Sequence, residues 1–121
     1  MKSGQKIVEL LAGLCGFAGV VMGALAAHKA QDAYAEGLLR QASLYDLVHS
    51  AALLALAARS EKAARIACLF FFAGILLFCG GLAVKALIGQ TVIAKLVPAG
   101  GTCLMLGWLS VAALAFRKSD S

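Results

Sequence analysis

The sequence predicts an all-α integral membrane protein, a compact bundle of four transmembrane helices. Two observations carry that reading. Of the 121 residues, 62% are apolar and only 14% charged, against roughly 45–50% and about 25% in a soluble domain. The apolar residues also fall into long blocks, with Lys and Arg scattered between them. A chain this short keeps a large surface-to-volume ratio, so soluble packing cannot hide so much apolar surface. The excess must face lipid, and one domain over residues 1–121 is the natural reading.

A helix needs about 20 mostly apolar residues to cross ~30 Å of hydrocarbon at 1.5 Å per residue. The first block runs over about 7–27 and is interrupted only by Glu9. The second is harder, because the uninterrupted stretch from Leu47 to Ala58 is too short. Extending it over 38–58 gives adequate length but adds Asp46 to His49 inside the span, with Arg40 and Gln41 near its start. A soluble or interfacial second helix is the alternative. The third block covers about 66–87, with Lys85 at its end. The fourth, about 96–116, carries no charge, and Pro98 sits in its first turn, where a missing N–H costs little.

Lys2 and Lys6 before an apolar run, followed by Ala24-Leu25-Ala26, mimic a secretory signal. The segment is nevertheless expected to stay as the first span. Cys15 lacks the small preceding residue that a lipoprotein cysteine wants, since Leu14 stands there. Lys2, Lys6, Arg59, Lys62, Arg65, Arg117 and Lys118 fall on one side, and Lys29, Arg40, Lys85 and Lys95 on the other. Seven against four favours both termini in the cytoplasm. The net charge of +5 shows no basic stripe and no aromatic–basic interleaving, so nucleic acid is not an expected partner.

Phe17-Ala18-Gly19 and Phe72-Ala73-Gly74 open similar stretches, and Ala55-Leu56-Ala57-Ala58-Arg59 echoes Ala113-Leu114-Ala115-Phe116-Arg117. These matches fit two helical hairpins related as parallel repeats, or coincidence in Ala/Leu-rich sequence. Gly16, Gly19 and Gly23 lie close to one face of the first helix, where Gly19-x-x-x-Gly23 suits close backbone approach. Gly80, Gly81, Gly100, Gly101 and Gly107 offer similar sites, and bundle packing is their simplest reading.

Gly23-Ala24-Leu25-Ala26-Ala27-His28 resembles the Gly-Ala-x-Gly-Ala-His signature of a small inner-membrane family. Tyr45-x-x-x-His49-Ser50-Ala51 with Leu53-Leu54 looks like its Tyr-Gln-x-x-His-Ala-Leu-Ala-Leu segment. Pro98-Ala99-Gly100-Gly101 with Gly107-Trp108 looks like its Pro-x-Gly-Gly…Gly-Trp ending. In order and spacing the chain thus resembles the YgdD/YwdK family, catalogued as a domain of unknown function. The resemblance implies a four-span protein of the bacterial inner membrane without an assigned activity. Ala26 replaces a usual glycine, and Asp46 stands where the family commonly has glutamine, so the resemblance implies no family-wide mechanism that needs a carboxylate here.

Counting ~1.5 Å per residue from the basic helix ends gives depths. Asp46 comes out about 20 Å deep and His49 about 15 Å, while Cys15 and Trp108 both lie near 13 Å. Cys79 and Cys103 share a level near 21 Å, and His28 reaches the outer interface. Asp46 and His49 are three residues apart and share a helical side. An unpaired charge at that depth costs at least ~3 kcal/mol, so both should face the bundle interior. Tyr45, four residues before His49, is placed to donate a hydrogen bond. Polar glue between helices, a proton relay or ligand site, and a water-exposed second helix are the competing readings of this trio.

None of the four cysteines forms a CxxC pair, and buried cysteine usually behaves as a small hydrophobe. Cys79 and Cys103 would bind a soft ion with Asp46 or His49 only if they converge. His28 reads as an interfacial polar cap, with ligand duty beside Asp32 or Glu36 the rival. Trp108 reads as packing, its indole N–H seeking a partner. No phosphate loop, nucleophile elbow, zinc motif or dinucleotide fingerprint is present, so neither enzyme chemistry nor a cofactor or metal is expected. The leading expectation is a non-enzymatic scaffold or accessory subunit, with the lipid bilayer, other membrane proteins or further copies of itself as partners. Its rivals are proton or small-ligand transport or sensing at Asp46 and His49, and thiol or metal chemistry at the cysteines.

Overall fold

The computed structural model describes residues 3–89 and 92–117, which leaves Lys2 and Lys118 of the charge count outside the described residues. Four helices follow one another: α1 (Ser3–His28), α2 (Ala33–Leu56), α3 (Lys62–Ile88) and α4 (Ile93–Phe116). No strand occurs among the described residues. Helices α1, α3 and α4 are long and apolar enough to cross a membrane. Helix α2 has the length, 24 residues or about 36 Å, but carries Glu36, Arg40 and Asp46.

Local chemistry sets the helix ends. Asp32 caps α2, its carboxylate accepting from the Ala35 N–H at 2.8 Å, and Glu36 adds a negative charge in the first turn. The helix therefore starts five residues before Leu38. Helix α3 ends at Gly89, whose φ of 68° is the left-handed cap that glycine adopts without strain. Helix α4 opens with a 3₁₀ turn, Ile93–Leu96, before its α-helical part, Val97–Ala112. Pro98 sits at that junction, where its missing N–H removes one α-type bond.

Helix α3 is not uniform. One π turn, Ile75–Cys79, lies between its α-helical parts Lys62–Gly74 and Gly80–Ile88. Directly opposite stands Gly100 of α4: a Cβ there would fall on the backbone of Leu77 and Phe78. The widened turn and the missing side chain meet, and the two backbones nearly touch. Such close approach is how helices gain packing energy in lipid, where no hydrophobic force drives them together.

Helix α1 packs along α2 and α3 packs along α4, giving two hairpins, and α2 joins them by lying against α3. An axis exchanging the hairpins would set α4 against α1 as closely as α2 against α3. Helices α1 and α4 make little contact, so the hairpins sit side by side without closing a ring. Leu39, Ala42, Leu53 and Phe71 fill the core with almost no exposed surface. Phe17 and Leu69, each more than 70% exposed, belong to the outer surface that lipid must cover.

Candidate functional site: a divided polar layer

The most polar helix is also the most central. Between Ser43 and Ser50, α2 buries Ser43, Asp46, His49 and Ser50, with Asp46 only 2% exposed. Their spacing follows the helical repeat, so the four side chains point inward while Leu44 and Val48 point out. Two neighbours share them.

Ser43, Asp46 and Ser50 face α1. The Ser43 hydroxyl donates to the Gly19 carbonyl at 2.7 Å, and the Ser50 hydroxyl donates to Asp46 Oδ1 at 2.8 Å. Both bonds need the small residues of α1. A Cβ on Gly19 would come within 3.0 Å of Asp46 Oδ1 and 2.9 Å of the Leu47 side chain; one on Gly23 would come within 3.1 Å of Ser43 Oγ. The glycine stripe of α1 is thus the socket for the polar stripe of α2.

His49 faces the other hairpin. Its Nδ1 lies 2.6 Å from the Tyr45 carbonyl, and a carbonyl oxygen only accepts, so Nδ1 carries the proton. Nε2 lies 2.9 Å from Trp108 Nε1, and an indole N–H only donates, so Nε2 must be the acceptor. The two bonds together select the neutral Nδ1–H tautomer, since a doubly protonated ring would set N–H against N–H. Phe71 meets both rings edge-on, at centroid distances of 5.3 Å to His49 and 4.9 Å to Trp108. A Cβ on Gly107 would strike Phe71 at 2.5 Å, so that glycine admits the ring on which the cluster rests.

Asp46 and His49 are both buried, but among the described residues they make no hydrogen bond to each other and belong to different interfaces. Three residues at 3.6 per turn leave about 60° between side chains, enough to aim one at α1 and the other at α3 and α4. Tyr45 serves through its backbone carbonyl and its ring, which lies 5.9 Å from His49 and 4.8 Å from Phe78. Its hydroxyl makes no hydrogen bond among the described residues. Ser43 escaped the sequence reading, although its spacing with Asp46 and Ser50 was the available signal. Trp108 finds the partner its indole required.

The remaining candidates stand apart. His28 is exposed at the end of α1, while Asp32 caps α2 and Glu36 pairs with Arg40 at 2.8 Å. The four cysteines are unpaired, and no group of three or more His, Cys, Asp or Glu side chains is placed to hold a metal among the described residues. At the opposite end Glu61 binds Arg59 at 2.8 Å and Arg117 at 3.3 Å, tying the α2–α3 loop to the end of α4. The hydrogen bonds from Arg59, then the charges of both arginines, hold the Glu61 carboxyl below its usual range. Lys85 of α3 lies 5.5 Å from the centroid of the Tyr34 ring of α2, a cation–π contact between hairpins.

Residues 22–101 match the family described as "Protein of unknown function (DUF423)", a segment that includes Ser43, Asp46, His49, Ser50 and Gly100 but begins after Gly19 and ends before Trp108. The chain belongs to that family. It is also 36% identical to a UPF0382 membrane protein of Haemophilus influenzae (strain ATCC 51907 / DSM 11121 / KW20 / Rd), over 96% of this chain and 98% of that one. No solved structure matches it. The membrane character read from composition is therefore shared by a full-length relative, and the DUF423 description assigns no activity to these residues.

Proposed function

We propose that this DUF423 protein is a non-enzymatic membrane component, a small scaffold or accessory subunit. In this reading all four helices cross the bacterial inner membrane and both termini are cytoplasmic. The supporting observation is that its polar layer is spent on itself. Asp46 accepts from Ser50, Ser43 donates to Gly19, and both nitrogens of His49 are committed. Among the described residues no fully buried side-chain nitrogen or oxygen lacks a partner. Groups that carry a proton or ligand across a membrane need a free valence and a path, and these have been built into helix contacts. Clustering of Arg59, Glu61 and Arg117 at one end supports a common side for the α2–α3 loop and the end of α4.

One observation favours the rival: Asp46 is a buried carboxyl with no cation paired to it among the described residues, and intramembrane carboxyls often serve proton movement. Proteoliposome proton flux measured beside thermal stability separates the readings. Structural glue predicts no flux above protein-free vesicles and near-normal stability for Asp46→Asn, whose amide oxygen still accepts from Ser50. Flux in the parent that disappears in a stably folded Asp46→Asn would overturn the scaffold reading.

A further inference from the structure

A groove of about 550 Å³ opens at the end of the bundle where the basic residues gather. It exists because α1 and α3 both lean on α2 and make little contact with each other. Val8 and Leu11 of α1 form one wall, Leu69 and Phe72 of α3 the other, and Leu53 and Leu56 of α2 the floor. From Arg65 to Phe72 the α3 wall climbs about 10 Å, much of one leaflet's ~15 Å of hydrocarbon. The volume is that of a small-molecule site, ~300–1,000 Å³.

The mouth is polar and basic: Arg59, Ser60 and Arg65 line it. Arg59 is held by Glu61, whereas Arg65 makes no ion pair or side-chain hydrogen bond among the described residues and is exposed. An apolar slot at leaflet depth, with an uncommitted guanidinium and a hydroxyl at its rim, has the polarity pattern of one amphiphile with an anionic head.

We propose that the α1–α3 groove holds one anionic phospholipid, an acyl chain between Val8 and Phe72 and its phosphate at Arg65 and Ser60. Helix packing leaves α1 unsupported on its α3 side at this end, and the bound chain fills that side. Arginine suits the role because its planar fork grips phosphate oxygens in pairs.

Native mass spectrometry of the full chain in neutral detergent, with phosphatidylglycerol and phosphatidylcholine supplied in equal amounts, reads the site directly. The parent should retain one phosphatidylglycerol in roughly fivefold preference, the ratio that ~1 kcal/mol for one surface arginine represents. Arg65→Gln should bring the two lipids to parity, while Lys62→Gln, which removes equal charge from the same helix end outside the groove, should keep the preference. Val8→Trp should fill the slot and lose both lipids, with thermal melting confirming that the variant is folded. Inorganic phosphate at the same concentration should leave the melting temperature of the parent unchanged. Equal retention of both lipids by the parent, an equal effect of Lys62→Gln and Arg65→Gln, lipid retained by folded Val8→Trp, or stabilisation by phosphate alone would each overturn the proposal.

Discussion

Replacing Trp108 by Phe removes one N–H and leaves an aromatic ring against Phe71. The His49 Nε2 acceptor then loses its donor on a side chain only 5% exposed. Interhelical polar contacts in membranes are worth about 0.6–2 kcal/mol, and stranding an acceptor costs ~1–3 kcal/mol in general. A loss of about 1–2 kcal/mol is therefore expected. Trp108 is 44% exposed, so lipid replaces part of the lost ring contact and the polar term dominates. The assay is reversible unfolding in mixed micelles for Trp108→Phe, His49→Leu and the double variant. If the bond at 2.9 Å is real, the singles share a coupling of about 0.5 kcal/mol or more. Nitrogen-15 spectra of the parent should show the His49 proton on Nδ1. Additivity within ~0.3–0.5 kcal/mol together with an Nε2–H tautomer would refute the bonded pair.

Three other expectations follow from the same geometry. Gly100→Ala should destabilise by about 1–3 kcal/mol, because its Cβ meets the Phe78 backbone, whereas Gly13→Ala, which meets nothing within 4 Å, should stabilise by ~0.5–1 kcal/mol; thermal melting of both reverses the ranking if the π-turn contact is wrong. Glu61→Gln should be less stable than the parent near neutrality: a carboxyl held below its ordinary value of 4.5 contributes above that value and loses the contribution as pH falls through its lower folded value. Parent and variant should then converge in acid, and a gap that stays constant from neutral to acid pH would contradict the bridge. A reporter fused after Ser121 should fluoresce in the cytoplasm and show no periplasmic phosphatase activity, and the opposite pattern would invert the orientation.

Much of this was legible because lipid makes burial of polar groups expensive. The four helices followed from block length, and the inward aim of Asp46 and His49 followed from the cost of charge. Counting depth from Arg59 and Arg117 even set His49 and Trp108 within about 2 Å of one level. What the count lacks is azimuth, so the pairing of Asp46 with Ser50 and of His49 with Trp108 could not be chosen over Asp46 with His49. The start of α2 was readable from Asp32 and Glu36 as an N-terminal cap, a signal outweighed by the search for apolar length. The π turn at Ile75–Cys79 has no local signature, since its counterpart, Gly100, lies on another helix.

Helix α2 poses the sharpest question, because its charges keep it from qualifying as a span on composition while its partners make it the centre of the bundle. A polar helix can cross lipid only if its polar groups are consumed by neighbours, and Ser43, Asp46, His49 and Ser50 are consumed. Opposite them, Leu44, Val48, Ala51 and Ala55 form an exposed stripe without a polar side chain, the face a crossing helix turns to hydrocarbon. Single cysteines at these four positions, in a background whose native cysteines are replaced by alanine, decide the matter. If α2 crosses, a water-soluble maleimide should leave all four unlabelled in intact membranes and label them after unfolding in strong detergent. A control cysteine at Ser60, in the α2–α3 loop, should react without unfolding once both membrane faces are open to the reagent. Uniform labelling of the stripe in intact membranes would place α2 at the interface and leave a three-span protein with a docked fourth helix. Because the same inward bonds hold α2 in either case, stability measurements would not separate the two; only the environment of the outward stripe does.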